Sequence, residues 1–256
     1  MSEQPIQPNA EISLLFGIPV QAVTMAQALD RIHEAIVAKK PLHLGVVNAA
    51  KIVNMYRNPE LRNDVLSSDL IFADGASVVW ASKILGSPLP ERIAGIDLMY
   101  GMLRRGDQHR YRVYCLGARE DISQKVEETI RKDYPNVIVA GRRNGYFTED
   151  EEEAIANDIL ESQADILLVA ITSPKKEQFL ARWSEKIKVP VCHGVGGSFD
   201  VMAGKVERAP ESWQRLGLEW LYRLKQEPRR LWRRYLVTNT LFCWLVLKEK
   251  VRKLSS

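Results

Sequence analysis

The chain has 256 residues, of which 46% are hydrophobic and 27% are charged, and this composition is typical of a soluble globular protein. A mainly disordered chain is excluded, as are a collagen-like repeat and a disulfide framework, because only 15 glycines and 3 scattered cysteines occur. The polar N-terminus has no export signal, and the longest apolar run, residues 236–247, is shorter than the roughly 20 residues of a membrane-spanning helix. We therefore expect a cytoplasmic protein.

The basic charge is concentrated at the C-terminal end. The whole chain has 36 basic and 32 acidic residues and a net charge of +4, whereas residues 215–256 carry 11 basic and 3 acidic side chains. That segment has a net charge of +8, which leaves −4 on residues 1–214. Basic segments of this kind bind phosphates or anionic lipid surfaces, although a solvated basic helix without a ligand explains the composition equally well.

Short apolar runs rich in β-branched residues alternate with longer amphipathic stretches, and this alternation predicts an α/β fold with a mostly parallel, Rossmann-like sheet flanked by helices. The first two runs, Ile12–Phe16 and Ile18–Val23, flank Gly17 and predict a small N-terminal hairpin. Six further strands are predicted at His43–Asn48, Leu70–Ala73, Arg112–Gly117, Val137–Gly141, Asp165–Ile171 and Val189–Val195.

Helix starts are marked by capping residues. Thr24 with Gln27 and Thr148 with Glu151 have the spacing of capping boxes, and Ser173-Pro174 has the pattern of an N-cap followed by a first-turn proline. We predict a catalytic α/β body over residues 1–210. Residues 211–256 then form a basic, aromatic helical appendage, which Pro228 divides into two helices.

Ligands of parallel α/β sheets bind at the carboxyl ends of the strands. The loops that leave four predicted strands carry suitable side chains, in Asn48–Lys51, Asp74-Gly75, Gly117–Arg119 and Thr172–Glu177. The last of these has two lysines at a predicted helix start and is typical of an anion site. An isolated Asp-Gly pair is most often only a turn, so the residues alone leave the role of Asp74 open.

Several common sites have no matching pattern. The segments 117–119 and 194–197 lack the G-x-G-x-x-G spacing of a dinucleotide site, and no P-loop occurs. The four histidines lack metal-ligand spacing, and no Asp-x-Asp pair follows a predicted strand. The sequence therefore predicts neither a bound metal nor a cofactor. In the appendage, Arg223, Arg230 and Arg233 alternate with aromatic residues and can share one phosphate through their guanidinium groups.

Eight motifs follow one another along the chain. They are Asn48-Ala49-x-Lys51, Ala73-Asp74-Gly75, Glu91-Arg92-x-x-Gly95-x-Asp97, Asn144-Gly145-Tyr146-Phe147, Ser173-Pro174-Lys175-x-Glu177, Gly194-Val195-Gly196-Gly197, Arg208-Ala209-Pro210 and Gly217-Leu218-Glu219-Trp220-Leu221-Tyr222-Arg223-Leu224. Over residues 12–240 the chain resembles the WecG/TagA/CpsF family of bacterial glycosyltransferases, in which these motifs occur in the same order.

The resemblance implies an inverting, metal-independent transfer of a sugar from a UDP-sugar to a polyprenyl-diphosphate-linked sugar. It places the enzyme peripherally on the inner face of the cell membrane, in cell-surface polysaccharide synthesis. It implies that Asp74 is the general base and that Asn48 and Arg92 are active-site residues. The substrate-binding residues that it implies are Lys51, Gly117, Asn144, Lys176, Glu177, Gly196 and Gly197, with Arg223, Arg230 and Arg233 toward the lipid diphosphate.

Two positions differ from the family pattern. Val46 stands where the family usually has Thr, and Lys176 stands where it usually has Gln. A lysine offers a point charge and only donors, so we expect Lys176 to contact either the donor diphosphate or a carboxylate of the donor sugar.

Two other functional classes stay open. One is a non-catalytic UDP-sugar-binding partner of a polysaccharide assembly complex, and the other is a nucleic-acid-binding protein that uses the basic appendage. We expect an anionic membrane surface, not nucleic acid, as the partner of the appendage. The sequence leaves open whether the chain forms a homo-oligomer.

Overall fold

The computed structural model describes residues 12–172 and 175–254, with the side chains of Glu177 and Arg230 left out. All eight predicted strands are present and form one sheet. They are β1 (Ile12–Leu15), β2 (Ile18–Gln21), β3 (Leu42–Val47), β4 (Leu70–Ala73), β5 (Arg112–Gly117), β6 (Ile138–Arg143), β7 (Ile166–Ala170) and β8 (Val191–Gly194). The predicted helix cap at Ser173-Pro174 lies outside the described residues.

The strand order in the sheet is β1-β2-β4-β3-β8-β7-β5-β6. The β1–β2 hairpin is antiparallel and every other strand pair is parallel, so the predicted α/β, Rossmann-like fold is confirmed. Because β4, β3, β8 and β7 are neighbours, the loops that follow them meet at one edge of the sheet.

The helices in the described ranges lie between and after the strands. They are α1 (Met25–Val37), α2 (Ala49–Arg57), α3 (Pro59–Leu66), α4 (Ala76–Ile84), α5 (Gly95–His109), α6 (Glu120–Asp133), α7 (Glu152–Glu161), α8 (Lys175–Ile187), α9 (Ser198–Met202), α10 (Glu211–Arg215), α11 (Glu219–Gln226) and α12 (Pro228–Leu254). Thr24 and Thr148 form the two predicted capping boxes, the second on a 3₁₀ turn at Glu149–Glu151 that leads into α7.

The described part of the appendage, residues 211–254, contains three helices where the sequence predicted two. Pro228 begins α12, as expected for a residue that has no backbone N–H to donate to the preceding turn. A second break lies at Gly217, whose φ of +71° is in the left-handed region that ends a helix. This break separates α10 from α11.

Helix α12 packs on the body of the protein. Phe242 and Leu245 are buried in the apolar cluster that also contains Phe16 and the inner face of α2. The ring centres of Phe16 and Phe242 are 5.6 Å apart, and the ammonium of Lys253 donates to the carbonyl oxygen of Leu85 at 3.0 Å. The division of the chain at residue 210 stays a prediction about domain organisation.

We predict that Phe242→Ala destabilises the whole protein. Truncating a buried phenylalanine removes apolar contacts and leaves a cavity, which costs about 3–5 kcal/mol of unfolding free energy. Leu247→Ala, on the same helix at 64% exposure, is the matched control and should change stability by about 0.5 kcal/mol or less. Urea unfolding measures both. Equal, small effects of the two substitutions would show that α12 does not stabilise the body.

Candidate active site

A cleft of about 1720 Å³ lies at the carboxyl edge of the sheet. Its floor is formed by the residues that directly follow the strands, among them Asn48 after β3, Asp74 after β4, Ala118 after β5 and Val195 after β8. Helices α4, α11 and α12 form one side wall, so the appendage contributes to the cleft together with the sheet.

Asp74 is half-buried on the cleft floor, and both of its carboxylate oxygens accept hydrogen bonds. The backbone N–H of Gly95 donates to Oδ1 at 2.9 Å, and the side-chain amide of Asn48 donates to Oδ2 at 3.2 Å. Asn48 is itself fixed because its Oδ1 accepts from the N–H of Lys51 at 3.0 Å and caps α2. The structure thus brings together Asn48 and Asp74, two of the candidate site residues.

A buried histidine contacts Gly95, the residue whose N–H donates to Asp74. His193 lies in β8 with no solvent exposure, and its Nε2 is 3.0 Å from the carbonyl oxygen of Gly95. Burial lowers the pKa of His193 to about 4, and the positive charges of Lys176 and Lys51 add to the lowering. The ring is therefore neutral at pH 7 and donates from Nε2, while its Nδ1 is buried without a hydrogen-bond partner.

His193 was not predicted from the sequence as a site residue. A lone histidine inside an apolar strand gives no local signal, and its contact with Gly95 joins residues 98 positions apart. The only available hint is its position directly before the Gly194–Gly197 motif. Gly95 now connects the two groups, because its N–H holds Asp74 and its C=O holds His193.

The two lysines at the start of α8 have different surroundings. The ammonium of Lys175 donates to the carbonyl oxygen of Phe147 and lies 3.7 Å from the centre of its ring. Lys176 instead lies against Gly194, where an added Cβ would come within 2.9 Å of its Nζ. Lys51, Lys176 and the Gly196-Gly197 backbone all line the cleft, so these predicted residues surround one space.

Arg92 and Arg223, also predicted from the sequence, meet across the boundary between body and appendage. Their common partner is Glu219 at the start of α11, which is 3.1 Å from Arg92 Nη1 and 3.8 Å from Arg223 Nη2. Asp97 pairs with Arg92 at 3.5 Å and with Arg208 at 2.6 Å. Asp97, Arg208 and Glu219 belong to sequence motifs, but this ion-pair network was not predicted from the sequence.

The remaining candidates lie outside the cleft lining or outside the described side chains. Asn144 donates to Glu120 at 3.0 Å and accepts the N–H of Tyr146, which shapes the loop after β6. Gly117, with a φ of +129°, packs so tightly that an added Cβ would lie 2.4 Å from the backbone of Ala170. Arg233 lies 5.3 Å from the ring of Trp232. The side chains of Glu177 and Arg230 are not described.

Within residues 12–172 and 175–254, we find no group of three or more His, Cys, Asp or Glu side chains arranged to hold a metal ion. Over the same ranges, none of the helices combines the length and the apolar content that crossing a bilayer requires.

A doubly flanked parallel sheet with a carboxylate and several cationic groups at its carboxyl edge is an arrangement suited to enzymes that act on anionic substrates. A sequence model of the Glycosyl transferase WecG/TagA/CpsF family matches residues 13–256. Over 180 residues the chain is 39% identical to the N-acetylglucosaminyldiphosphoundecaprenol N-acetyl-beta-D-mannosaminyltransferase of Bacillus spizizenii. The aligned region covers 70% of this chain and 69% of the relative. The protein belongs to this family and is a glycosyltransferase.

The buried His193 predicts a pH dependence of stability. Its folded-state pKa of about 4 lies below the unfolded value of 6.5, so the unfolded chain binds more protons between these values. Stability therefore falls as the pH drops below about 6.5, and by pH 4.5 this one group costs roughly 2–3 kcal/mol. Urea unfolding at pH 7 and pH 4.5 should show that His193→Gln, which retains a donor toward Gly95, loses less free energy of unfolding between these pH values than the wild type does.

The imidazole NMR signals of His193 supply a direct check on the same protein. They should be those of the neutral ring at pH 5.5, where an ordinary histidine is mostly charged. A ring that titrates near 6.5, together with an equal pH dependence of unfolding in the wild type and His193→Gln, would contradict the prediction.

Proposed function

We propose that the protein is an inverting, metal-independent glycosyltransferase that transfers a sugar from a UDP-sugar to a polyprenyl-diphosphate-linked sugar in bacterial cell-surface polysaccharide synthesis. The observation that carries the proposal is the carboxylate of Asp74 on the cleft floor, fixed by Gly95 and Asn48. The name of the Bacillus spizizenii relative, which specifies a sugar linked to diphosphoundecaprenol, supports the proposed acceptor class.

Asp74 is the proposed general base. In a single displacement, the acceptor hydroxyl attacks the anomeric carbon of the donor, the bond from that carbon to UDP breaks, and the hydroxyl proton passes to Asp74. An ionised carboxylate has about four lone-pair positions, and two are used by Gly95 and Asn48. The remaining positions can accept the acceptor hydroxyl, whose direction of approach is set because both fixed partners hold the carboxylate in place.

The leaving UDP gains negative charge, and we propose that Lys51 and Lys176 stabilise it in place of a metal ion. Both side chains belong to the cleft wall, and preorganised cations next to a developing anion lower the barrier directly. For Lys176 the two interpretations are contact with this diphosphate and contact with a carboxylate of the donor sugar. Glu177 and the Gly196-Gly197 segment belong to the same proposed donor side.

The lipid-linked acceptor is proposed to enter along the appendage. Arg223 and Arg92 offer guanidinium groups to the acceptor diphosphate, and Arg230 and Arg233 are proposed to assist from α12. The lining of the cleft also includes apolar residues. Its exposed residues include Trp80 and Ile84, one turn apart on α4, and Trp220 on α11, which suits the isoprenoid chain next to the diphosphate.

Helix α12 also carries an exposed apolar stripe, and we propose that this stripe binds the inner face of the membrane. Its members recur at helical spacing and are 44% exposed or more: Trp232, Leu236, Val237, Trp244, Leu247, Val251 and Leu254. The exposed basic residues Lys248 and Arg252 lie next to Leu247 and Val251. An apolar stripe edged by basic residues is typical of helices that lie in the interface of an anionic bilayer.

The proposed function is tested by incubating the purified protein with a panel of UDP-sugars and polyprenyl-diphosphate N-acetylglucosamine in excess chelator. Transfer with release of UDP is the expected result. UDP-sugar binding without turnover would favour the non-catalytic binding partner, and activity that appears only after adding Mg²⁺ or Mn²⁺ would contradict metal independence.

A second experiment separates the two proposed roles of Lys176. It compares the turnover of Lys176→Gln with UDP-glucose and with UDP-glucuronic acid, because only a carboxylate contact makes the loss of turnover selective for the uronic acid.

We predict that Asp74→Asn lowers turnover by roughly 10²–10⁴, the usual contribution of a general base, because an amide cannot accept the proton. The amide is nearly isosteric, so UDP binding and the unfolding temperature should stay near those of the wild type. Asp200→Asn is the control, since Asp200 lines the same cleft but pairs with Lys205 at 3.2 Å. Wild-type turnover in Asp74→Asn, with chemistry rate-limiting, would remove Asp74 from the mechanism.

We predict that the double variant Trp244→Ser, Val251→Ser weakens binding to anionic vesicles more than tenfold. Both side chains are exposed, and the loss of apolar area that would enter the lipid corresponds to roughly 2–4 kcal/mol. Val37→Ser with Leu160→Ser changes two exposed apolar residues on α1 and α7 and should leave vesicle flotation unchanged. Equal flotation of all three proteins would show that the α12 stripe is not the membrane contact.

A further inference from the structure

Glu219 is a carboxylate of the appendage that contacts arginines of the body. It lies in the first turn of α11, and its side chain is only 14% exposed. One oxygen is 3.1 Å from Arg92 Nη1, and the other is 3.9 Å from Arg208 Nε and 3.8 Å from Arg223 Nη2. Three guanidinium groups from two parts of the chain therefore converge on this single side chain.

The charge balance of the cluster depends on Glu219. Arg92, Arg208 and Arg223 bring three positive charges, and Asp97 and Glu219 bring two negative charges. Asp97 pairs with Arg92 and Arg208, both on the body, so it cannot attach the appendage. Without the charge of Glu219, Arg223 on α11 would face two body arginines that share one carboxylate, and like charges in a partly buried site repel.

The same cluster is directly connected to the floor of the cleft. Arg92 is followed by Ile93, whose N–H donates to the carbonyl oxygen of Ala73 at 2.9 Å. Two residues later, the N–H of Gly95 holds Asp74. A helix attached to Arg92 is therefore placed relative to Asp74 through three residues of hydrogen-bonded backbone.

The contacts leave the arginines able to bind a second anion. A guanidinium has five N–H donors. On Arg92, Glu219 lies 3.1 Å from Nη1 and Asp97 lies 3.5 Å from Nη2, which leaves three donors for a further ligand, and Arg223 approaches Glu219 only at 3.8 Å. Bidentate binding of a phosphate needs two of these donors from each group. Glu219 therefore brings the two guanidinium groups together without using up their capacity.

We propose that Glu219 is a positioning residue that holds α11 against the body, so that Arg223 and Arg92 form one binding site for the diphosphate of the lipid-linked acceptor. This inference rests on the proposed function for its ligand. It assigns to Glu219 a role in acceptor binding and none in the proton transfer or in donor binding.

The test is Glu219→Gln, which keeps the size of the side chain and removes its charge. The KM for polyprenyl-diphosphate N-acetylglucosamine should rise about tenfold or more, because Arg223 no longer stays beside Arg92. The KM for the UDP-sugar and the pH profile of kcat should stay within twofold of the wild type. Glu219→Asp, which retains the charge on a shorter side chain, should recover part of the acceptor affinity.

Glu211→Gln is the matched control, since Glu211 begins the neighbouring helix α10 and is exposed. It should leave both KM values unchanged. An unchanged acceptor KM in Glu219→Gln would overturn the proposal, and so would a lowered one, because it would show that Glu219 competes with the diphosphate. A parallel rise of both KM values, with loss of thermal stability, would show a general structural role and would also overturn it.

Hydrogen exchange separates a failure of this inference from a failure of the proposed function. In Glu219→Gln the amides of residues 219–226 should exchange faster than in the wild type, whether or not the lipid-linked sugar is the acceptor. Faster exchange in a protein whose wild type does not use that acceptor would keep Glu219 as the attachment of α11 and reject only the ligand. Unchanged exchange would reject the attachment itself.

Discussion

The geometry of the cleft depends on the backbone of one residue, Gly95 at the start of α5. Its N–H donates to Asp74 and its carbonyl oxygen accepts from the buried ring of His193. The three residues come from three different segments, after β4, at the start of α5 and within β8. A small shift of any one of them would turn the carboxylate of Asp74, so the parallel pairing of β4, β3 and β8 is also what aims the proposed base.

The appendage extends this arrangement and has two kinds of contact with the body. Phe242 and Leu245 anchor α12 by apolar burial, and Glu219 joins α11 to Arg92 by charge. Apolar burial fixes a helix with little directionality, whereas an ion pair with defined atoms fixes the position of one turn. The two contacts together allow one face of α12 to pack on the protein while Trp244 and Leu247, on another face, stay exposed.

The strands and most residues of the cleft floor could be predicted from the sequence. Buried parallel strands are continuous runs of β-branched residues, and such runs are visible without any knowledge of their partners. Asn48, Asp74 and Lys176 could be found for the same local reason, because each lies at a predicted strand end or helix start. Contacts between distant segments have no such signal: Arg92 and Glu219 are 127 residues apart, and both belong to motifs whose pairing the sequence does not show. The third appendage helix was missed because Gly217 alone, with its positive φ, creates the extra break.

The central claim is a single displacement assisted by one carboxylate, and the stereochemistry of the product tests it most directly. A donor with an α-linked UDP should give a β-linked disaccharide, because attack from the opposite face inverts the anomeric carbon. Proton NMR of the product formed in excess chelator reports the configuration through the anomeric coupling constant. An inverted linkage is the result expected for Asp74 acting as the base. A retained linkage would require a second nucleophile and would contradict the mechanism.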